Sequence, residues 1–191
     1  DAGAGVGYTG IRIRGVDPTR TNVTINGIPI NDSESHGMYW VNMPDISSSV
    51  NNIQVQRGVG TSSNGASAFG ASINVETNTL NKEAYATLDN SFGSFNTLRN
   101  TVKAGTGLLN DKFIIDTRLS RIQSDGYVDR SAAELKSFML SGTWLGENST
   151  LRATMFSGKE RTEQAWYGTP ESVINGSIEE ITAYADRNYI F

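Results

Sequence analysis

The sequence contains no cysteine and only one histidine, His36. Without cysteine the chain has neither a disulfide framework nor a thiolate metal cluster, and the residues near His36 do not supply a hydrolytic triad. No stretch reaches the roughly 18 consecutive apolar residues of a membrane-spanning helix, so any contact with a bilayer would be made by strands. The net charge of -4 gives no reason to expect a nucleic-acid partner. We therefore expect no catalytic residues, no cofactor and no bound nucleic acid.

Lysine is missing from the first part of the chain. Residues 1–79 contain none, and all five lysines lie between Lys82 and Lys159. Such a shift in composition is typical of a domain boundary. We therefore expect one domain over residues 1–79 and a second region over residues 80–191.

The first region has the pattern of short strands joined by tight turns. Asn26-Gly27 is a dipeptide that accepts positive φ and favours a hairpin. Pro44 followed by Asp45 predicts the start of a short helix, with Asp45 near its cap position. The predicted strands are Gly10–Arg14, Asn22–Asn26, Asn52–Arg57 and Ser72–Glu76, and the predicted helix covers Asp45–Val50. These elements indicate a compact mixed α+β domain.

From Glu83 onward, apolar and polar residues alternate over segments close to the ~10 residues that a tilted membrane strand needs. Such alternation places the apolar residues of a strand on one face and the polar residues on the other. The predicted apolar faces are Leu98, Val102 and Ala104; Phe113, Ile115 and Leu119; Phe138, Leu140, Gly142 and Trp144; and Leu151, Ala153 and Met155. Met139 and Phe156 break the pattern.

The connections between these segments alternate between short and long. Leu108–Asp111 and Gly146–Ser149 are short, whereas Ser124–Ala133 and the stretch from Arg161 to Tyr189 are longer. Short turns at one end and longer loops at the other are typical of an outer-membrane barrel, with the short turns at the periplasmic rim. Phe113 and Trp144 would then lie just inside that rim, where aromatic girdles occur. A soluble β-sandwich predicts the same alternation, so the strands alone leave both architectures open.

Four motifs in the first region follow one another in a specific order. They are Ile11-Arg12-Ile13-Arg14-Gly15, Thr24-Ile25-Asn26-Gly27-Ile28-Pro29-Ile30, Ile53-Gln54-Val55-Gln56-Arg57-Gly58 and Ala68-Phe69-Gly70-Ala71-Ser72-Ile73-Asn74-Val75. This succession resembles the plug domain of TonB-dependent outer-membrane receptors. Gln56–Gly60 and Gln164–Gly168 are also similar to receptors of Bacteroidota.

The resemblance implies the fold of a plugged transporter. We expect the later part of a plug over residues 1–79 and the first antiparallel strands of a transmembrane β-barrel over residues 80–191. The chain would then be a fragment of a 22-stranded barrel. The early plug, with the short segment that engages the TonB complex, is expected upstream. The function implied is TonB-dependent import of a scarce ligand across the bacterial outer membrane, in contact with its lipid. Iron-siderophore, other chelates, cobalamin and other nutrients all stay open as ligands.

The resemblance also assigns site residues. Arg14 and Arg57 match the plug arginines that, in the family, pair with glutamates of the barrel wall, a role suited to the planar guanidinium fork. Gly27 lies where a hairpin needs positive φ, and Gly58 and Gly70 lie where a plug inside a barrel needs close backbone approach.

The segment His36–Trp40 follows the predicted hairpin and is a candidate ligand contact. In the family, the apical loops of the plug face the ligand, so Tyr39 and Trp40 could stack on it, although packing against the barrel wall is the equal alternative. His36 beside Asp32 and Glu34 could also suggest a metal site, but solvation of a loop is the interpretation we favour. A secreted or surface β-rich adhesin or carbohydrate-binding module remains the alternative function.

Overall fold

A computed structural model gives the fold and describes residues 9–59, 69–77, 80–128, 130–163 and 171–188. The described strands form two separate sheets. The first sheet has four strands and the second has five. Gly60, Ala68 and the segment Gln164–Gly168, which take part in the resemblances noted above, lie outside the described residues.

The first sheet is mixed, with the strand order β2-β1-β4-β3. Its strands are β1 (Thr21–Ile25), β2 (Ile28–Pro29), β3 (Asn52–Arg57) and β4 (Ala71–Glu76). β1 pairs antiparallel with β2 and parallel with β4, and β4 pairs antiparallel with β3. The strands predicted at Asn22–Asn26, Asn52–Arg57 and Ser72–Glu76 are thus confirmed.

The hairpin between β1 and β2 has the predicted turn. Asn26 and Gly27 have φ values of 53° and 82°, and two positive φ values in succession form the turn whose twist matches that of the flanking strands. The side chain of Asn26 donates to Thr77 Oγ1 at 2.8 Å and accepts from Thr77 N at 2.9 Å. The turn is therefore fastened to the end of β4.

The apolar residues of the first sheet lie on one face. Val23 pairs with Ile73, and Ile73 pairs in turn with Val55, which places the three side chains in one row because alternate residues share a face. Val23, Ile73 and Val75 are buried. The partly buried residues that pack against them are Ile11, Ile13, Ile25, Ile30, Met38, Trp40 and Val50. The core of the first domain is this layer.

Two predictions for the first region were wrong in detail. Gly10–Arg14 is not a strand, because Arg14 and Gly15 have φ values of 54° and 75° and turn the chain so that Val16 N donates to Ile13 O at 3.1 Å. The helix predicted at Asp45–Val50 is a short 3₁₀ helix over Ile46–Ser49. Asp45 precedes it in a left-handed conformation and its side chain does not bond the helix backbone.

The second sheet is an antiparallel meander in which each strand pairs with its neighbour in sequence. Its strands are β5 (Tyr85–Gly93), β6 (Thr97–Gly105), β7 (Phe113–Ser124), β8 (Ala133–Leu145) and β9 (Thr150–Thr162). The lengths of 9 to 13 residues suit strands that cross a membrane at a tilt.

The two faces of this sheet differ as the alternation predicts. On one face, which we call the outward face, large apolar side chains are exposed: Leu88, Val102, Phe113, Ile115, Leu119, Leu140, Trp144, Leu151 and Met155. On the opposite, inner face, Ile114, Arg118 and Ser120 are buried. Phe113 pairs directly with Trp144 at the end that carries the short turns.

Met139 and Phe156, the two exceptions to the alternation, both point to the inner face. They pair with each other across β8 and β9, and they line one pocket together with Met43 and Ile46 of the first domain. The inner face is therefore apolar where the first domain approaches it, which explains why the alternation is imperfect.

Beyond β9 the chain forms two short helices, α1 (Glu171–Ile174) and α2 (Ile178–Asn188), where the sequence predicted a long loop. Ser177 caps α2, since its hydroxyl accepts from Glu180 N at 3.3 Å while the carboxylate of Glu180 accepts from Ser177 N at 2.8 Å. Among the helices of the described ranges, none has the length and apolar character needed to cross a membrane.

Candidate functional site between the two sheets

The first domain contacts the inner face of the second sheet through the segment Pro44–Ser48. The ring of Pro44 lies over Gly158 of β9, where any Cβ atom would overlap it. Only glycine permits this approach, because a backbone position without a side chain lets the ring rest directly on the strand. The contact places the next residue, Asp45, against β7.

Asp45 and Arg118 form a buried ion pair across this contact. Arg118 Nη1 donates to Asp45 Oδ2 at 3.3 Å and to Asp45 O at 3.1 Å. The side chains are 2% and 1% exposed. The left-handed backbone of Asp45 turns both its carboxylate and its carbonyl oxygen toward the same guanidinium, which explains why Asp45 does not cap the 3₁₀ helix.

Hydroxyl groups and a second arginine complete the cluster. Arg118 Nη1 also donates to Ser120 Oγ at 2.8 Å, and Ser48 Oγ donates to Asp45 Oδ2 at 2.6 Å. Arg99 of β6 reaches Ser48 Oγ at 2.6 Å and lies 4.0 Å from Asp45 Oδ1. Removing ions from water is costly unless they are paired and hydrogen-bonded, so these partners are what make a buried Asp45 tolerable.

The guanidinium of Arg118 also has an aromatic neighbour. Its Cζ lies 5.8 Å from the ring centroid of Phe156, within the range of a cation–π contact. Arg118 Nε and Nη2 have no hydrogen-bond acceptor among the described residues. The inner face of the second sheet thus carries the buried cation Arg118, and Asp45 of the first domain is the anion that pairs with it.

An apolar cavity of about 530 Å³ lies beside the ion pair, between the core layer of the first domain and β7 to β9. Trp40, Ile73, Ile122 and Leu135 are among the residues that line it. Trp40 also packs against the core of the first domain, so its indole belongs to the contact between the domains.

The three predicted glycines serve two different purposes. Gly27 and Gly58 have φ values of 82° and 83°, a region that favours glycine. A Cβ at Gly70 would lie 2.7 Å from both the carbonyl oxygen of Arg20 and a methyl carbon of Val16. Close approach is therefore found at Gly70 within the first domain, whereas at Gly58 no described atom lies within 4 Å and the requirement is positive φ.

The loop that carries His36 and Tyr39 is built around Asp32. The carboxylate of Asp32 accepts from Ser35 N at 2.7 Å and from Glu34 N at 3.2 Å. These bonds, that of Ser35 first, lower the pKa of Asp32 below its ordinary value. Tyr39 is 52% exposed and donates to Ser35 Oγ at 3.2 Å. The loop presents Tyr39 and His36 at the surface.

The comparisons with known proteins identify the first domain. The family described as "TonB-dependent Receptor Plug Domain" matches residues 1–72. The chain carries a TonB-dependent receptor plug domain. Pro44–Ser48 is the segment of the plug that contacts the second sheet, which we call the wall.

Solved structures of plugged receptors share the arrangement of plug and wall. The copper transporter OprC is similar with a TM-score of 0.67 and 19% identity, over 85% of this chain and 27% of its own. The siderophore receptor PirA from Acinetobacter baumannii has a TM-score of 0.62 and 19% identity, over 84% of this chain and 27% of its own. The ferric yersiniabactin uptake receptor FyuA from Yersinia pestis has a TM-score of 0.57 and 13% identity, over 74% of this chain and 22% of its own.

The chain spans about a quarter of the length of these structures. No curated protein matches it. The predicted fold class, a plug followed by antiparallel strands of a plugged barrel, is confirmed.

The arginines predicted to lock the plug lie away from this contact. Arg14 is exposed in the turn after Ile13, and Arg57 is exposed at the end of β3, the edge strand of the plug sheet. Neither forms an ion pair with the residues that the structure describes. Their pairing with glutamates stays a prediction.

The ion pair that joins plug and wall has the opposite polarity, with the carboxylate on the plug and the guanidinium on the wall. Sequence reasoning missed Asp45, which looked like a helix cap. The available signal was Arg118, a cation in the middle of an alternating strand on the face opposite the apolar residues.

Proposed function

We propose that this chain is part of an outer-membrane importer driven by TonB, and that its cargo is a scarce ligand such as a metal chelate. The observation that carries the proposal is the plug domain seated, through Asp45 and Arg118, on the inner face of strands whose outward face is apolar. A plug inside a closed barrel blocks the lumen until it is moved. Import therefore requires work on the plug, and TonB is the partner that would supply it.

Metal chelates are the ligand class that the comparisons favour. OprC is described as a copper transporter, PirA as a siderophore receptor and FyuA as a ferric yersiniabactin uptake receptor. We extend this class to the present chain as a proposal. Cobalamin and other nutrients are the further ligands to be tested. The adhesin alternative gains no support from the reported structures, which are all transporters or receptors.

The proposal gives each part of the chain a role. Residues 1–79 form the plug segment and residues 80–191 the wall segment, and the outward face contacts lipid. Tyr39 and His36 face the ligand from the plug, supported by their exposure. Arg14 and Arg57 pair with wall glutamates, and no covalent bond of the ligand is changed. The Bacteroidota origin also remains a proposal, which rests only on the resemblance of Gln56–Gly60 and Gln164–Gly168.

The experiment is uptake by cells that express the full receptor carrying this sequence. Labelled ferric siderophores, copper and cobalamin would be supplied to cells with and without TonB. We expect at least one ligand to accumulate only when TonB is present. Accumulation that is the same in both strains would contradict the proposal.

A further inference from the structure

Three basic residues form a row across the outward face of the wall. Arg121 pairs directly with Lys136, and Lys136 pairs directly with Lys159. Directly opposed residues on neighbouring strands have side chains on the same face, with Cβ atoms about 5 Å apart. The side chains of Arg121 and Lys136 are 53% and 55% exposed. Like charges directly opposite one another repel. Glu134 offsets this repulsion at Arg121 and Lys136, and a further anion shared with Lys159 would offset it along the whole row.

The residues two positions nearer the short turns are mostly apolar. Leu119 pairs with Phe138, and Val102 pairs with Leu119. These side chains and the basic row line a single open groove of about 590 Å³. One half of the groove is therefore apolar and the other half is cationic, which is the pattern of an acyl chain followed by an anionic headgroup.

The surroundings of the row are mixed in charge, whereas the lining of the groove is cationic. The carboxylate facing this row from the neighbouring positions is Glu134, which lies 2.8 Å from Arg121 and 2.9 Å from Lys136. Arg161 pairs with Glu134 across β8 and β9. Asp125 and Glu163 line the adjoining pocket together with Arg121, Glu134 and Arg161, whereas the lining of the groove itself contains Arg121, Lys136 and Lys159 and no carboxylate. A positive excess confined to this patch marks it as a site for an anion.

The position of the row fixes which anion is available. Arg121 lies in the half of β7 far from the short turn at Leu109–Lys112, so under the proposed function it lies near the outer surface of the membrane. Lysine and arginine side chains at such a boundary keep their stems on apolar surface and hold their charges at the level of the headgroups.

We propose that this groove binds a phosphorylated lipid of the outer leaflet. The phosphate would lie on Arg121, Lys136 and Lys159, and an acyl chain would lie along Leu119 and Phe138. Phosphate suits such a cluster because it accepts several charge-assisted hydrogen bonds from guanidinium and ammonium groups. The inference rests on the proposed outer-membrane location, and it adds a lipid site that faces away from the import path.

The test uses the purified full receptor in detergent and native mass spectrometry. Diphosphorylated lipid A and its dephosphorylated form would be titrated separately. We expect the phosphorylated lipid to bind at least tenfold more tightly, a difference of about 1.4 kcal/mol. The variant Lys136→Gln/Lys159→Gln should lose this preference, and Lys136→Arg/Lys159→Arg should keep it.

The matched control is Lys82→Gln/Lys112→Gln, which removes the same charge from exposed lysines at the opposite end of the wall. It should bind as the parent does. Equal binding of the two lipids, or an equal loss in the control, would overturn the inference. So would full competition by inorganic phosphate at the concentration of the lipid, because free phosphate alone would then be the ligand.

Uptake by cells carrying the same variants separates this inference from the proposed function. Import that depends on TonB, together with no lipid preference, would refute the lipid site and leave the function standing. A lipid preference without TonB-dependent import would refute the proposed function and leave the lipid site standing.

Discussion

Asp45 of the plug and Arg118 of the wall face each other as a buried pair, 3.3 Å apart between Oδ2 and Nη1. Breaking such a pair on one side leaves a buried charge without compensation and costs about 3–5 kcal/mol. We therefore expect Arg118→Met and Asp45→Asn each to loosen the plug. Leakage of a large antibiotic through the receptor, measured by growth inhibition, should rise for both.

The double variant Asp45→Asn/Arg118→Met supplies the decisive comparison. Because it removes both charges, its effect should be smaller than the sum of the single effects. Asp17→Asn, at an exposed carboxylate of the plug, should cause no leakage. Additive effects of the two single changes would show that the pair does not act as a unit.

Gly70 should tolerate substitution poorly. A Cβ there would meet the carbonyl oxygen of Arg20 at 2.7 Å, and overpacking against backbone costs about 1–3 kcal/mol. Gly70→Ala should lower the denaturation midpoint of the full receptor. Gly142→Ala is the matched change, because no described atom lies within 4 Å of that position. Equal effects of the two substitutions would contradict the close approach.

Asp32 should make the loop at His36 sensitive to acid. Its folded pKa is lowered by hydrogen bonds, above all from Ser35 N. A lowered folded pKa means that the carboxylate stabilises the loop at pH above its ordinary value of 3.8, and that this contribution is lost as the pH falls through the folded pKa.

Hydrogen exchange measured at one neutral pH tests this role of Asp32. We expect Asp32→Asn to speed exchange at the amide of Ser35, whereas Asp17→Asn should leave that amide unchanged. Ser35 protection that is identical in the Asp32→Asn variant would show that the carboxylate does not hold the loop.

Leu140 should not accept a charge, because it lies on the outward face in the middle of β8 and is 45% exposed. A cation on the lipid face of a barrel costs about 2–4 kcal/mol at the midplane of the bilayer and much less near its surfaces. Leu140→Arg should therefore reduce the folded receptor recovered from outer membranes. Ser157→Arg, on the same face beside the basic row, should have a small effect. A larger loss of folded receptor for Ser157→Arg than for Leu140→Arg would contradict the position assigned to Leu140 near the midplane of the bilayer.

Much of the fold follows from local patterns in the sequence. The hairpin at Asn26-Gly27 could be predicted because its two positive φ values leave a clear residue signature. The alternation of apolar residues from Leu98 to Met155 likewise predicts the outward face. Side chains of a strand point to opposite faces in turn, so a strand with one lipid-covered face carries an apolar residue at every second position. Ordered plug motifs then distinguish a barrel wall from a sandwich, which alternation alone cannot do.

The contact between plug and wall could not be predicted in the same way. Asp45 follows a proline and precedes a helix, so local chemistry suggests a cap, whereas its actual partner is 73 residues away in the chain. Met139 and Phe156 looked like errors in the alternation because their apolar contacts come from another domain. Long-range partners of this kind leave no periodic signal, and the same holds for any glutamates that would pair with Arg14 and Arg57.

The absence of cysteine from this chain permits one direct test of the central claim, that the second sheet is a membrane wall with the plug on its inner face. Single cysteines at Leu140 and Met139 would carry nitroxide labels in the full receptor in outer-membrane vesicles, with any other cysteines replaced. The account predicts that oxygen, which concentrates in lipid, reaches the label at Leu140, while neither oxygen nor a water-soluble nickel chelate readily reaches the label at Met139. Equal oxygen access at both positions, or preferential access of the nickel chelate to Leu140, would contradict it.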